Sequence, residues 1–144
     1  MIRTASKDDI RIIAELAVKM WDDSSVEELA DEFAELISKD AACIFLKYEN
    51  DNPIGFAQCQ LRSDYVEGTE TSPVGYLEGI FILEGYRKRG YAKELLRACE
   101  AWAKEMGCTE FASDCELENT DSFGFHMAMG FLEANRIICF TKKL

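Results

Sequence analysis

Apolar positions along this chain switch between a period of about 3.6 and a period of 2, and the switches divide it into elements. Ile2 to Ala5 reads as a short strand. Ser6 then caps a helix whose apolar face is Ile10, Ile13, Leu16, Ala17, Met20 and Trp21. Ser25-Val26-Glu27-Glu28 has the spacing of a capping box, and Val26, Leu29, Phe33, Leu36 and Ile37 line one face of the helix behind it. Ala41 to Tyr48 and Ile54 to Leu61 read as strands joined through Glu49-Asn50-Asp51-Asn52-Pro53, a hairpin. Ser63 to Gly75 is a loop, and Tyr76 to Ile82 a strand. A helix then runs to about Met106, closed by Gly107. Glu110 to Ser113 is a short strand, and Thr120 to Met129 a helix closed by Gly130. Phe131 to Lys142 is predicted as a strand or strand pair.

Composition narrows this order to one domain over residues 1–144. A chain of 144 residues with 48% hydrophobic content fills a single layered core and is too short for two. No apolar run reaches the length of a bilayer span, and Met1-Ile2-Arg3-Thr4-Ala5 lacks the apolar core of a signal peptide, so a cytoplasmic protein without membrane contact is expected. Six cysteines are scattered without a C-x-x-C, and there is one histidine. Reduced, mostly buried thiols and no metal site are the expectation. No Asp-rich calcium loop is present either. The net charge of −11 argues against nucleic acid, whose backbone it would repel, and suits a cationic substrate drawn into an acidic cleft. Solubility alone would also account for it.

One stretch reverses this charge. Arg87-Lys88-Arg89-Gly90-Tyr91-Ala92-Lys93 lies between the strand ending at Ile82 and the helix that follows. A strand, a basic turn and a helix N-terminus offer unpaired amides and a positive dipole end to an anion. Gly90 and Ala92 leave the main chain bare, so a pyrophosphate can approach. Neither G-x-G-x-x-G nor a P-loop occurs here; the pattern is Arg-x-x-Gly-x-Ala. The alternative is a solvated turn that only caps a helix.

That pattern resembles the pyrophosphate loop of the GCN5-related N-acetyltransferases, and the element order of the whole chain is similar to theirs. The resemblance implies an α/β fold with a mixed, mostly antiparallel sheet, splayed at its centre and flanked by helices. It also implies acetyl-coenzyme A as co-substrate. Asn119 leads a helix that ends in Gly130-Phe131, which resembles the family's pantetheine-binding helix. His126 stands where the family often has a tyrosine that protonates the departing thiolate. Tyr65 to Ile80, with Met20-Trp21 and Phe111-Ala112-Ser113-Asp114, is similar to the aminoglycoside 6′-N-acetyltransferases. This implies that Trp21, Tyr65, Glu78 and Asp114 line an aminoglycoside site. Asn135 would stand where close relatives carry a carboxylate. It implies a homodimer as well, with the C-terminal strand near the interface.

The chemistry sets its own demands. An ammonium cannot attack a thioester, so a carboxylate must take its proton, directly or through one water. Glu78 and Asp114 sit on adjacent strands near the ends where open sheets bind ligands. The thioester carbonyl needs backbone donors, and Ile80, Phe81 and Ile82 are candidates. Direct attack needs no covalent intermediate, so no cysteine is assigned as nucleophile. Each residue also has a packing alternative. Trp21 and His126 fit apolar faces, Asp114 fits a loop cap, and Glu78 fits a strand edge. The rival functions are an acetyltransferase for another polyamine or a protein amine, and a non-catalytic coenzyme A-binding module. The second could dispense with the paired carboxylates.

Overall fold

The computed structural model describes all 144 residues. Five strands form one sheet in chain order, β1 (Ile2–Thr4), β2 (Ala42–Glu49), β3 (Asn52–Arg62), β4 (Val74–Ile82) and β5 (Phe111–Ser113). The pairings are antiparallel except for the parallel β4–β5 pair. Alternation along the strands gives the sheet two apolar faces. Ile44, Leu46 and Phe56 meet α1 (Ile10–Ala17) and α2 (Val26–Ile37) on one side. Ala57, Cys59, Leu77 and Ile82 meet Leu95, Leu96 and Cys99 of α3 (Tyr91–Glu105) on the other. The last helix, α4 (Thr120–Ala128), buries no residue fully and lends only Phe125 to that second core, with Met129 just beyond it.

The helix starts follow local chemistry. Ser25 Oγ accepts the Glu28 N–H at 3.1 Å, and the Glu28 carboxylate returns to the Ser25 N–H, completing the predicted box. Ser6 caps a single 3₁₀ turn that leads into α1. α1 itself stops at Ala17, so Met20 and Trp21 lie in the turn beyond it rather than on the helix.

Two features of the sheet shape the centre of the molecule. Gln58 faces Gly79 while Cys59 faces Leu77, so Glu78 is an extra residue opposite nothing on β3. Such a bulge bends the strand and re-aims its side chains. Leu77 faces α3 before the bulge, and Ile80 and Ile82 face it afterwards, so the phase shifts by one residue. The second feature is the short β4–β5 ladder, which ends at Leu77–Ser113. From Glu78 to Ile82, β4 has no neighbour on that side, which is the splay the fold class predicts.

The strand predicted over Phe131 to Lys142 does not form. Phe131 packs on Phe111 of β5 with ring centroids 6.3 Å apart, but from Leu132 onward the segment is exposed. Leu132 is 89% exposed, Ile138 81% and Phe140 87%. The apolar alternation is there, but this chain offers it no surface to cover, and an isolated strand is not stable in water. Glu110 also falls outside β5. Its carboxylate instead accepts the amides of Glu70 and Thr71, at 2.9 and 2.8 Å, and ties the 63–73 loop to the sheet.

Candidate active site

The open side of β4 is where the predicted groups converge. Alternate amides along Glu78 to Ile82 point to the side that β5 vacates, so oxyanion donors are available on that stretch. Glu78 sits at the bulge. Its side chain is only 18% exposed, and it lines a cavity of about 360 Å³ with Trp21, Asp23, Ser24, Leu29, Glu32, Phe33, Leu36 and Gln58. Three carboxylates and an indole make this hollow suited to a cation. Trp21 is held by Phe33 and Phe56, at centroid distances of 6.5 and 6.1 Å, and its ring rests on Gly79. Asp23 and Glu32 escaped the sequence reading because nothing in a helix-flanking turn or on an exposed helical face distinguishes a cleft acid from a solvated one.

Asp114 follows β5 and accepts a hydrogen bond from the Tyr76 hydroxyl. Glu78 is gripped by Arg62, Nε to Oε1 and Nη2 to Oε2, both at 2.9 Å. Neither Arg62 nor Tyr76 stands out in the sequence, because Tyr76 reads as part of an apolar strand and Arg62 as a strand end. Tyr76 reaches Asp114 through the parallel β4–β5 ladder, and Arg62 reaches Glu78 where the bulge sets it.

His126 is fixed at both ring nitrogens. Nδ1 lies 2.7 Å from the Ser122 carbonyl, which can only accept, so Nδ1 carries the proton. Nε2, 2.7 Å from Ser113 Oγ, then accepts from that hydroxyl. The tautomer is assigned from these partners. The ring also packs on Phe131 and Phe125. His126 thus meets β5 through Ser113, a residue given no role from sequence.

The basic turn has the predicted form. Gly90 adopts φ +83°, and nothing lies within 4 Å of where its Cβ would be. The amides from Lys88 to Lys93 donate to no backbone carbonyl, and they cluster at the start of α3. This fits a pyrophosphate. The charges divide unequally. Arg87 turns back to the Ile82 carbonyl at 2.9 Å, and Arg89 lies 3.7 Å from Glu49, whereas Lys88 makes no ion pair. Asn119 caps α4, its Oδ1 accepting the Ser122 N–H at 3.1 Å, which leaves its amide NH₂ for a ligand.

Three predicted substrate residues, Asp114, Tyr65 and Asn135, do not line the cavity. Tyr65 is 78% exposed on its loop. Asn135, also exposed, donates from Nδ2 to Glu67 Oε1 at 3.0 Å. A second cavity of about 340 Å³, at the β2–β3 hairpin, is lined by Met1, Lys47, Tyr48, Glu49, Asn50, Asp51 and Tyr91 and holds none of the predicted catalytic groups. No cluster of three His, Cys, Asp or Glu side chains suits a metal ion.

Known proteins are similar to this chain in sequence and fold. The model of the acetyltransferase (GNAT) family matches residues 10–131. An aminoglycoside N(6′)-acetyltransferase type 1 of Acinetobacter haemolyticus is 41% identical over 143 residues, 99% of this chain and 98% of that one. The crystal structure of aminoglycoside antibiotic 6′-N-acetyltransferase AAC(6′)-IG from the same organism superposes with a TM-score of 0.95 at 39% identity, covering 100% of this chain and 99% of its own. AAC(6′)-Iy in complex with the bisubstrate analogue CoA-S-monomethyl-acetylneamine superposes with a TM-score of 0.96 at 36% identity, covering 100% and 98%. With the family model spanning most of the chain and this likeness running its full length, the chain belongs to the GNAT acetyltransferase family.

Proposed function

We propose that this protein transfers acetyl from acetyl-coenzyme A to the 6′-amine of an aminoglycoside, by direct attack in a ternary complex, and so confers resistance. The observation that carries this is the acidic hollow opening beside the splay of β4, next to a turn built for pyrophosphate. The bisubstrate complex of AAC(6′)-Iy joins the same two ligand classes in one similar fold.

On this reading, amides of Lys88 to Lys93 hold the pyrophosphate and Asn119 meets the pantetheine arm. The main chain of Ile80, Phe81 and Ile82 polarises the thioester carbonyl. Glu78 and Asp114 bind the acceptor's ammonium groups, and one of them takes the reacting proton, directly or through water. The amine nitrogen then bonds to the thioester carbon as the carbon–sulfur bond breaks. The departing thiolate receives a proton from Ser113 Oγ, which takes in exchange the proton that the acetylated nitrogen still has to lose, while the unprotonated Nε2 of His126 holds that hydroxyl in place. Trp21 stacks on the sugar, and Tyr65 and Asn135 contact its far side. The protein works as one cytoplasmic domain, a reading supported by its reduced thiols and by its co-substrate. It forms a homodimer through its exposed C-terminal segment and the open edge of β5, each of which lacks a strand partner.

A thiol-release assay with acetyl-coenzyme A tests the activity. Aminoglycosides with a 6′-amine should turn over, and their 6′-hydroxyl counterparts, linear polyamines and lysine peptides should be poor acceptors. Equal rates on 6′-amine and 6′-hydroxyl drugs would exclude the regiochemistry, and a preference for peptides would favour the protein-amine rival. Glu78→Gln and Asp114→Asn should each raise the acceptor KM, and at least one should lower kcat by about a hundredfold, the usual scale of a lost general base.

A further inference from the structure

Arg62 closes β3, and its two bonds, from Nε and Nη2, hold both oxygens of Glu78. The same guanidinium lies over Tyr76, with Cζ 3.5 Å from the ring centroid. Tyr76 is 6% exposed, and its hydroxyl donates to Oδ2 of Asp114. The contacts therefore run without a gap from Glu78 through Arg62 and Tyr76 to Asp114. Glu78 lines the 360 Å³ cavity, and neither Arg62 nor Tyr76 does. The pair touches both carboxylates without lining that cavity, and Asp114, exposed just beyond β5, does not line it either.

We propose that Arg62 and Tyr76 are positioning residues that lock Glu78 and Asp114 at one separation, so that the cleft selects acceptors by the distance between two of their ammonium groups. This rests on the reading of Glu78 and Asp114 as the acceptor's carboxylates. A free glutamate has three rotors and follows an amine wherever it lies. The bidentate fork removes that freedom, and the ring beneath Arg62 removes the fork's own. Burial, and then the bond to Asp114, push the Tyr76 phenol above its ordinary pKa, so it remains a donor across the physiological range. A total charge of −11 would attract any polycation. A fixed carboxylate spacing distinguishes among them, because a mismatched pair of amines leaves one carboxylate without its partner.

Competitive inhibition by a homologous series of linear α,ω-diamines reads the spacing directly. The wild-type protein should show one chain length of strongest inhibition, with weaker inhibition on either side. Tyr76→Phe removes the hydroxyl and keeps the ring; Arg62→Lys keeps the charge and loses the fork. Each should flatten the profile, reducing the ratio between best and worst diamine by about tenfold, the scale of one hydrogen bond to a charged group. A merely structural defect would weaken all lengths alike and leave the profile's shape intact, and that result overturns the proposal. So does a flat wild-type profile. Either variant suffices if the other fails to fold. Glu78→Gln and Asp114→Asn complete the set. If they bind diamines as wild type does, the site reading fails and takes the proposal with it. If they lose inhibition while Tyr76→Phe and Arg62→Lys keep the wild-type profile, the proposal alone fails.

Discussion

Gly79 shows how much of this site depends on an atom that is missing. A Cβ there would lie 2.9 Å from both Cζ2 and Cη2 of Trp21 and 3.2 Å from Met20 Cε. The indole cannot yield easily, since Phe33 and Phe56 pack around it. Gly79→Ala should therefore push Trp21 toward the cavity. The expected result is a severalfold rise in acceptor KM with the acetyl-coenzyme A KM unchanged, and a stability loss of about 1–3 kcal/mol, the usual cost of overpacking. Steady-state kinetics and denaturant titration measure both. An unchanged acceptor KM would show that the indole does not bound the acceptor site. Burial has the opposite meaning for the thiols. It pushes Cys43 up to about 11, so that group is an unreactive packing atom at neutral pH.

Among the elements, β1 and the start of α1 are joined by one carboxylate. Asp9, 4% exposed, accepts two bonds from Arg3, at 2.8 and 2.6 Å, and the Ser6 N–H at 2.8 Å. The Arg3 bonds chiefly, against the penalty of burial, hold its carboxyl down to about 2. A folded pKa below the unfolded one means stability that is fully present above about pH 5 and is lost as pH falls toward 2, on the order of 1–2 kcal/mol here. The deficit of Asp9→Asn against wild type should be constant from pH 7 to 5 and shrink toward pH 2. Denaturant midpoints across that range test it; a deficit that persists at pH 2 would remove the ion pair as its cause. The elements themselves were largely legible in the sequence. Ser25 and Glu28 announce α2, and Gly90 announces the turn before α3, because these signals are local. The bulge at Glu78 was not legible, since it depends on register against Cys59, and the role of Tyr76 was not, since it depends on the register of the parallel β4–β5 pair. The unformed strand after Phe131 was misread for a related reason. Period-2 alternation records a tendency to pair and says nothing about where the partner lies.

For the whole molecule, that unpaired segment is the main open surface. Ile137, Ile138 and Phe140 are 67%, 81% and 87% exposed, a cluster of apolar side chains unusual in a chain that remains alone. On the proposed homodimer, Ile138→Asp should shift the protein to monomer in sedimentation at micromolar concentration and raise the reactivity of Cys139 toward a thiol reagent. A dimer unaffected by this change would place its interface elsewhere. The segment is also anchored to the 63–73 loop, since Asn135 meets Glu67 and a Cβ on Gly68 would collide with Ala134. There is a consequence for the cell that makes the protein. A tail without a fold is what proteases take first, and pairing in the proposed homodimer would withdraw it from them. Newly made chains at low abundance would be cleared quickly and those at high abundance would persist. Enzyme level, and with it drug tolerance, would then rise more steeply than the rate of synthesis, giving a population with modest differences in expression a sharp division between susceptible and surviving cells.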